Sequence, residues 1–164
     1  MDERSDPGFG ASADAHHITA PDDSGEGMGQ AMQMALNEAE VAAKDVDHIN
    51  AHGTSTYFND ISETRAIKQV FGDHAYDIPI TANKSMIGHM LGAAGGAESV
   101  FSVLSLSREK IPGTINLQEP DPECDLDFVG EGTREKRINY VLCNSFGFGG
   151  TNACILFKRF EDDS

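Results

Sequence analysis

Positive charge is scarce in this chain. Twelve Lys and Arg residues stand against 27 Asp and Glu among 164 residues, a formal net charge of −15 at pH 7. So acidic a surface argues against nucleic acid and anionic membrane as partners, and no basic patch of note is visible to receive an acidic protein. Cysteine is nearly as rare: Cys124, Cys143 and Cys154 lack metal-ligand spacing and suit a reducing, cytoplasmic setting. The longest apolar segment is broken by glycines and serines and falls short of a membrane span. The opening Met1-Asp2-Glu3-Arg4 is not that of a signal peptide. At this length one domain with a real core is expected.

What is present alternates between strand and helix. Residues 1–8 read as a flexible lead-in, residues 9–158 as the domain and residues 159–164 as a tail. Phe9 to Ala15 makes a weak strand, and His16 to Gly25 a loop whose adjacent histidines have no third metal ligand at useful spacing. Gly27 to Ala42 reads as a helix with Met28, Ala31, Met32, Met34, Ala35 and Ala39 on its apolar face. Val46 to Ala51 is a strand. A second helix, capped by Asn59 or Asp60, runs to Phe71-Gly72. Ile111 to Val129 reads as an extended surface loop and Gly130 to Arg137 as a charged turn. Ile138–Cys143 and Ala153–Phe157 are strands joined by a glycine-rich link, which suggests a hairpin. The order predicts an α/β fold, a mixed sheet flanked by helices with an antiparallel C-terminal strand pair.

The chain is organised around Asn83–Glu98. A short buried strand, Ile78–Ala82, leads through a Ser/Gly turn into a long helical pattern ending at Ser107. Its apolar residues fall on no single stripe, so the helix should be buried on all sides, with Gly92, Gly95 and Gly96 letting other backbones approach. His52, Lys84 with His89, and the Phe146–Gly150 loop each follow a predicted strand. If the first two strands are parallel, these residues meet at one sheet edge, where open α/β sheets place ligands. Singly, each histidine reads more readily as a hydrogen-bonded structural residue and Lys84 as the partner of Asp60 or Glu63, while the glycine loop reads equally as a tight turn. Together they have a chemical logic. Two neutral imidazoles can each donate an N–H to a developing oxyanion, with backbone N–H groups of the glycine loop forming a second oxyanion hole.

His52-Gly53-Thr54-Ser55-Thr56 with Asn59-Asp60 and Glu63, Lys84-Ser85-Met86-Ile87-Gly88-His89, and Asn144-Ser145-Phe146-Gly147-Phe148-Gly149-Gly150-Thr151-Asn152 resemble three motifs of the β-ketoacyl-[acyl carrier protein] synthases, above all the bacterial elongating type. Ser12 to Thr19 and Cys124 to Val129 are similar to the family as well. The resemblance covers about Phe9 to Lys158 and implies a thiolase-like fold and decarboxylative Claisen condensation of acyl and malonyl thioesters in fatty-acid synthesis. By resemblance His52 and His89 stabilise the enolate, Lys84 orders that site and is held by Glu63 with Asp60 nearby, and Thr54 and Thr56 bond the pantetheine arm. Phe148 gates the acyl pocket beside Phe146 and Gly149. No cofactor is implied beyond a structural monovalent cation near Asn50, Glu98 and Asn144. Acyl carrier protein thioesters, reached through the full enzyme, are the implied partners, and a dimer the implied assembly.

The motifs belong to the second of two thiolase-type halves, and the nucleophilic cysteine of the family belongs to the first. Cys124, Cys143 and Cys154 match none of its positions and read as structural. The expectation is therefore a C-terminal half, from a truncated or split gene or made deliberately, that is inactive alone and that pairs with the missing N-terminal half or self-associates. A non-catalytic partner subunit of a condensing enzyme is the alternative, and a hydrolase built on Cys143 with either histidine a more distant one.

Overall fold

The computed structural model describes residues 8–160; most of the lead-in and residues 161–164 of the tail lie outside the described residues. A five-stranded sheet has the order β1 (Gly8–Ala13), β7 (Thr151–Lys158), β6 (Tyr140–Gly147), β2 (His48–Asn50), β3 (Ile80–Thr81). β2 runs parallel to β3 and β6, whereas β7 is antiparallel to β6 and β1. Gly8, placed in the lead-in by sequence, already pairs with Leu156.

Helices α1 (Glu26–Glu38) and α2 (Tyr57–Phe71) cover one face. Met28, Ala31, Met32, Ala35 and Leu36 recur at helical spacing and are buried against Ile49, Leu142 and Leu156 of the sheet. Met34 falls off this stripe and is exposed. The helix stops four residues short of Ala42, closing through the Ala39 N–H to Ala35 O while Glu40 turns to a φ of 54°. α1 lies so close to β1 that a Cβ on Gly8 or Gly10 would stand 1.9 Å from the carbonyl oxygen of Ala35 or Ala31, which only glycine allows. α2 starts before the expected cap, because Asn59 turns its amide inward to Asp60 and Glu63 instead of capping.

The long central helix is not continuous. α3 (Lys84–Ile87) ends at Gly88 with φ 73°, Leu91 takes φ 53°, and α4 begins only at Ala94, running to Arg108. Nor is α4 buried all round. Three of its five buried residues, Glu98, Ser102 and Ser105, are polar, beside Ala94 and Leu106, while Val100 and Val103 are 58% and 49% exposed. Gly92 and Gly96 have no neighbour within 4 Å of a built Cβ, and Gly95 meets only Ser145 Oγ at 3.4 Å. The helix crowded between other backbones is thus replaced by one whose inward face is polar at Glu98, Ser102 and Ser105 and apolar at Ala94 and Leu106, and whose outward face carries exposed valines.

Two further expectations change. The segment after β4 (Lys110–Pro112) is no pure surface loop: Leu126 and Val129 are buried, and Asp127 and Val129 hydrogen-bond Ile80 of β3. Ion pairs Arg65–Glu123, Lys68–Asp125 and Arg134–Asp127 tie it to α2 and to β5 (Thr133–Glu135), a strand where a charged turn was expected. β4 and β5 form a separate antiparallel pair.

Candidate functional site

Because β2 and β3 are parallel, their C-terminal ends share an edge, and the chain leaves β2 into His52 and β3 into Lys84. The break between α3 and α4 turns His89 back towards this edge. The His52 and His89 ring centroids stand 5.6 Å apart at 84°, and Phe146 on β6 meets the other side of His52 at 5.8 Å.

His52 is fixed from three directions. Its backbone N–H and that of Gly53 donate to Glu63, each at 2.9 Å, and its carbonyl accepts from Lys84 Nζ at 2.6 Å. Lys84 Nζ also faces His52 Nδ1 at 3.3 Å. An ammonium at that nitrogen requires a lone pair there, so the ring proton sits on Nε2. Burial, then the charge of Lys84 and the nearby His89, push the His52 pKa down to about 3, so the ring is neutral at physiological pH. The exposed His89 accepts the Leu91 N–H at its Nδ1, 3.2 Å away, which leaves Nε2 as its donor too. Two imidazoles therefore each present an Nε2–H.

Lys84 is held by Glu98, not by Glu63 or Asp60; both partners of this ion pair are buried. Burial raises the Glu98 carboxyl, and Lys84 pulls it back. Glu63 pairs with no cation among the described residues. Burial raises its pKa, against the N–H groups of Gly53, His52 and the Asn144 amide that hold its charged form. Glu98 is the single acidic residue on α4, and a lone carboxylate in an apolar helix was the available signal for a buried partner. Asn83, whose amide bonds Asn50 Oδ1 at 2.8 Å, carried no comparable signal.

Thr54 and Thr56 share a hydrogen bond of 2.9 Å and line a cavity of about 600 Å³ together with Tyr57, Asp60, Lys84 and His89. Burial raises the Asp60 carboxyl. Phe148 and Gly149 lie on the loop after β6, outside this lining, and Phe148 is 81% exposed. Gly149 and Gly150 take φ of 78° and 69°, and a Cβ on Gly150 would fall 2.6 Å from that of Asp14. Of the residues suggested for a cation, Asn50 and Asn144 spend their amide oxygens on Asn83 and Cys154, while Glu98 Oε2, like Asn83 Oδ1, is buried without a partner among the described residues. The fit is partial: Glu98 is suited, the two asparagines are committed elsewhere.

The cysteines are poor nucleophiles. Burial pushes the Cys143 thiol up to about 12, raises Cys154 well above the ordinary thiol range, and raises Cys124 as well. A hydrolase built on Cys143, which lies in β6 beneath α4, loses its basis.

A mixed sheet flanked by helices, with paired imidazoles at the shared edge of its parallel strands, defines a thiolase-like half. The chain belongs to the β-ketoacyl synthase family: the model of the "Beta-ketoacyl synthase, C-terminal domain" matches residues 7–118. It is 53% identical to the 3-oxoacyl-[acyl-carrier-protein] synthase 2 of Coxiella burnetii over 94% of its own length and 37% of the relative's. It is 49% identical to the Synechocystis protein of the same name, with the same coverage of 94% and 37%. Among solved structures it superposes on a chain of AntDE:AntF, a type II PKS acyl-carrier protein in complex with its ketosynthase. The TM-score there is 0.92 and the identity 39%, over 94% of this chain and 38% of that one. A β-ketoacyl synthase from Burkholderia phymatum gives 0.88 and 38%, over 94% and 37%. The chain thus spans little more than a third of the relatives it matches. Among the described residues no helix is long and apolar enough to cross a membrane.

Proposed function

We propose that this chain is the C-terminal portion of a 3-oxoacyl-[acyl carrier protein] synthase and supplies the decarboxylating side of a decarboxylative Claisen condensation. The observation that carries this reading is the pair of imidazoles, 5.6 Å apart, each with Nδ1 occupied and Nε2–H available. When a malonyl thioester loses carbon dioxide, the electrons of the broken C–C bond pass to the thioester oxygen as an enolate, and two N–H donors stabilise that charge. The enolate carbon then attacks an acyl group held as a thioester on a cysteine that another segment must supply, and the thiolate leaves. Lys84 and Glu63 act as positioning residues for His52. The cavity beside Thr54 and Thr56 takes the thioester arm, presented by a carrier protein as in the AntDE:AntF complex. Phe146 packs on His52, and the exposed Phe148 with Gly149 forms the lip over the acyl side. The unpartnered Glu98 Oε2 supports a monovalent cation as a structural aid. The apolar outer face of α4 supports docking of the complementary half, and free cysteines suit a reducing cytoplasm. Retention of both imidazoles weighs against a non-catalytic partner subunit.

The test combines the chain with the N-terminal portion of the Coxiella relative and follows labelled carbon dioxide from malonyl-carrier thioester. His52→Ala and His89→Ala should each lower release roughly 10²–10³-fold. The chain alone should form no acyl-enzyme. Undiminished release by the double variant, or radiolabelled acyl transfer onto this chain alone, overturns the proposal.

A further inference from the structure

The pole of the sheet opposite the imidazoles carries a second concavity, of about 370 Å³, lined by Arg137, Asn139, Tyr140, Lys158 and Arg159. It lies at the start of β6, seven residues from Gly147, or roughly 23 Å at about 3.3 Å per residue. In a chain with 12 basic and 27 acidic residues, three cations and, among the described residues, no carboxylate share this lining. Two carboxylates border it, and one of them is spent on Arg159. Asp47 Oδ2 accepts the backbone N–H groups of Asn139 and Tyr140 at 2.7 and 3.2 Å, and Glu109 pairs with Arg159 at 2.8 Å.

Arg159 is held in place, with Nε donating to Ile138 O at 2.8 Å and Nη2 to Leu106 O at 2.9 Å. Register sets Lys158 directly across from Tyr140. Arg137 and Lys158 are exposed and form no ion pair among the described residues. Like charges gathered in one concavity repel unless an anion joins them. A guanidinium, an ammonium, an amide and a phenol hydroxyl together offer directed donors to several oxygens of one oxyanion.

We propose that this pocket binds a phosphate-type dianion, free or as a phosphomonoester of a small organic group. The site is independent of the thioester chemistry and stands whether or not that reading holds.

The test is calorimetric titration of the full chain with inorganic phosphate and, separately, with adenosine 5′-monophosphate, at ionic strength held constant with chloride. Saturable binding of either supports the site, and which of the two binds more tightly tells free phosphate from a phosphomonoester. Arg137→Ala/Lys158→Ala should weaken binding at least about tenfold while leaving the thermal unfolding of the free protein unchanged, since both side chains are exposed. Glu161, Asp162 and Asp163 follow in the sequence, so E161Q/D162N/D163N is titrated in parallel, and tighter binding there supports a cationic site. Heat that fails to saturate in every form, or an affinity unchanged in Arg137→Ala/Lys158→Ala, overturns it.

Discussion

α1 and α4 lie on opposite faces of one sheet and obey opposite rules. α1 buries methionine, leucine and alanine and shows its charged residues to solvent, as an amphipathic surface helix does. α4 buries Glu98, Ser102 and Ser105 along with Ala94 and Leu106, and exposes Val100, Val103 and Leu104. The inverted helix has two neighbours to satisfy. Inward it meets Asn50, whose amide donates to Glu98 O and Ser102 Oγ, and Lys84, which Glu98 holds. Outward it presents an apolar face that nothing in the described chain covers, continued by the exposed Phe9 of β1. One face of this sheet is finished; the other is polar where it positions the site and apolar where a further layer would pack.

The largest effect should come from breaking the polar side. Lys84→Met leaves the Glu98 carboxylate buried without its cation and should cost about 3–5 kcal/mol in urea unfolding. Adding Glu98→Gln removes the stranded charge and should recover much of that. Equal losses in the single and double variants would sink the assignment of Lys84 to Glu98. Next comes a direct contrast between the helices. Met32→Ala in α1 should cost about 2–5 kcal/mol, whereas Val103→Ala on the outer face of α4 should change monomer stability by less than about 0.5 kcal/mol. Val103→Ser should, however, reduce self-association or capture of the complementary half in sedimentation velocity. Comparable stability losses at residues 32 and 103, or association indifferent to residue 103, would erase the contrast.

Much of this was legible in the sequence, for identifiable reasons. The parallel edge could be read because His52 and Lys84 each follow a short strand, and the hairpin because a glycine-rich link separates two largely apolar runs. The break at Gly88–Leu91 was hidden, since Met90, Leu91, Ala93 and Ala94 continue a helical pattern while the positive φ of Leu91 is imposed by tertiary context. Apolar content revealed that α4 is unusual but not which way it faces: serines and a glutamate face inward only because Asn50 and Lys84 await them. Thr133–Glu135 gave no alternation because all three residues are exposed. The basic pocket escaped notice because Arg137 and Lys158 are distant in sequence and meet only through the β6–β7 register.

The last contrast separates the two faces by acid. His48 lies fully buried on β2, on the same side as Asn50 by strand alternation, so beneath α4 and not α1. Its Nε2 meets Thr81 Oγ1 at 3.1 Å, its Nδ1 has no partner, and burial with the charge of Lys136 pushes its pKa down to about 3. Since its unfolded value is near 6.5, the unfolded chain binds the extra proton between those limits. His48 therefore contributes stability that is full above about pH 6.5 and falls by roughly 1.4 kcal/mol per pH unit as acid is added, until about pH 3. His52, lowered to about the same value, acts in the same direction. Glu63 and Glu98, whose folded values are raised, oppose it below the point where they begin to protonate. The difference between the chain and His48→Gln cancels those shared contributions. Urea unfolding from pH 6.5 to pH 5 should show the variant losing stability less steeply, by roughly 1.4 kcal/mol per unit, and a parallel pair of curves would mean that residue 48 is not held neutral beneath α4. None of the buried residues of α1 is ionisable, so Met32→Ala should shift the whole curve downward without changing its slope.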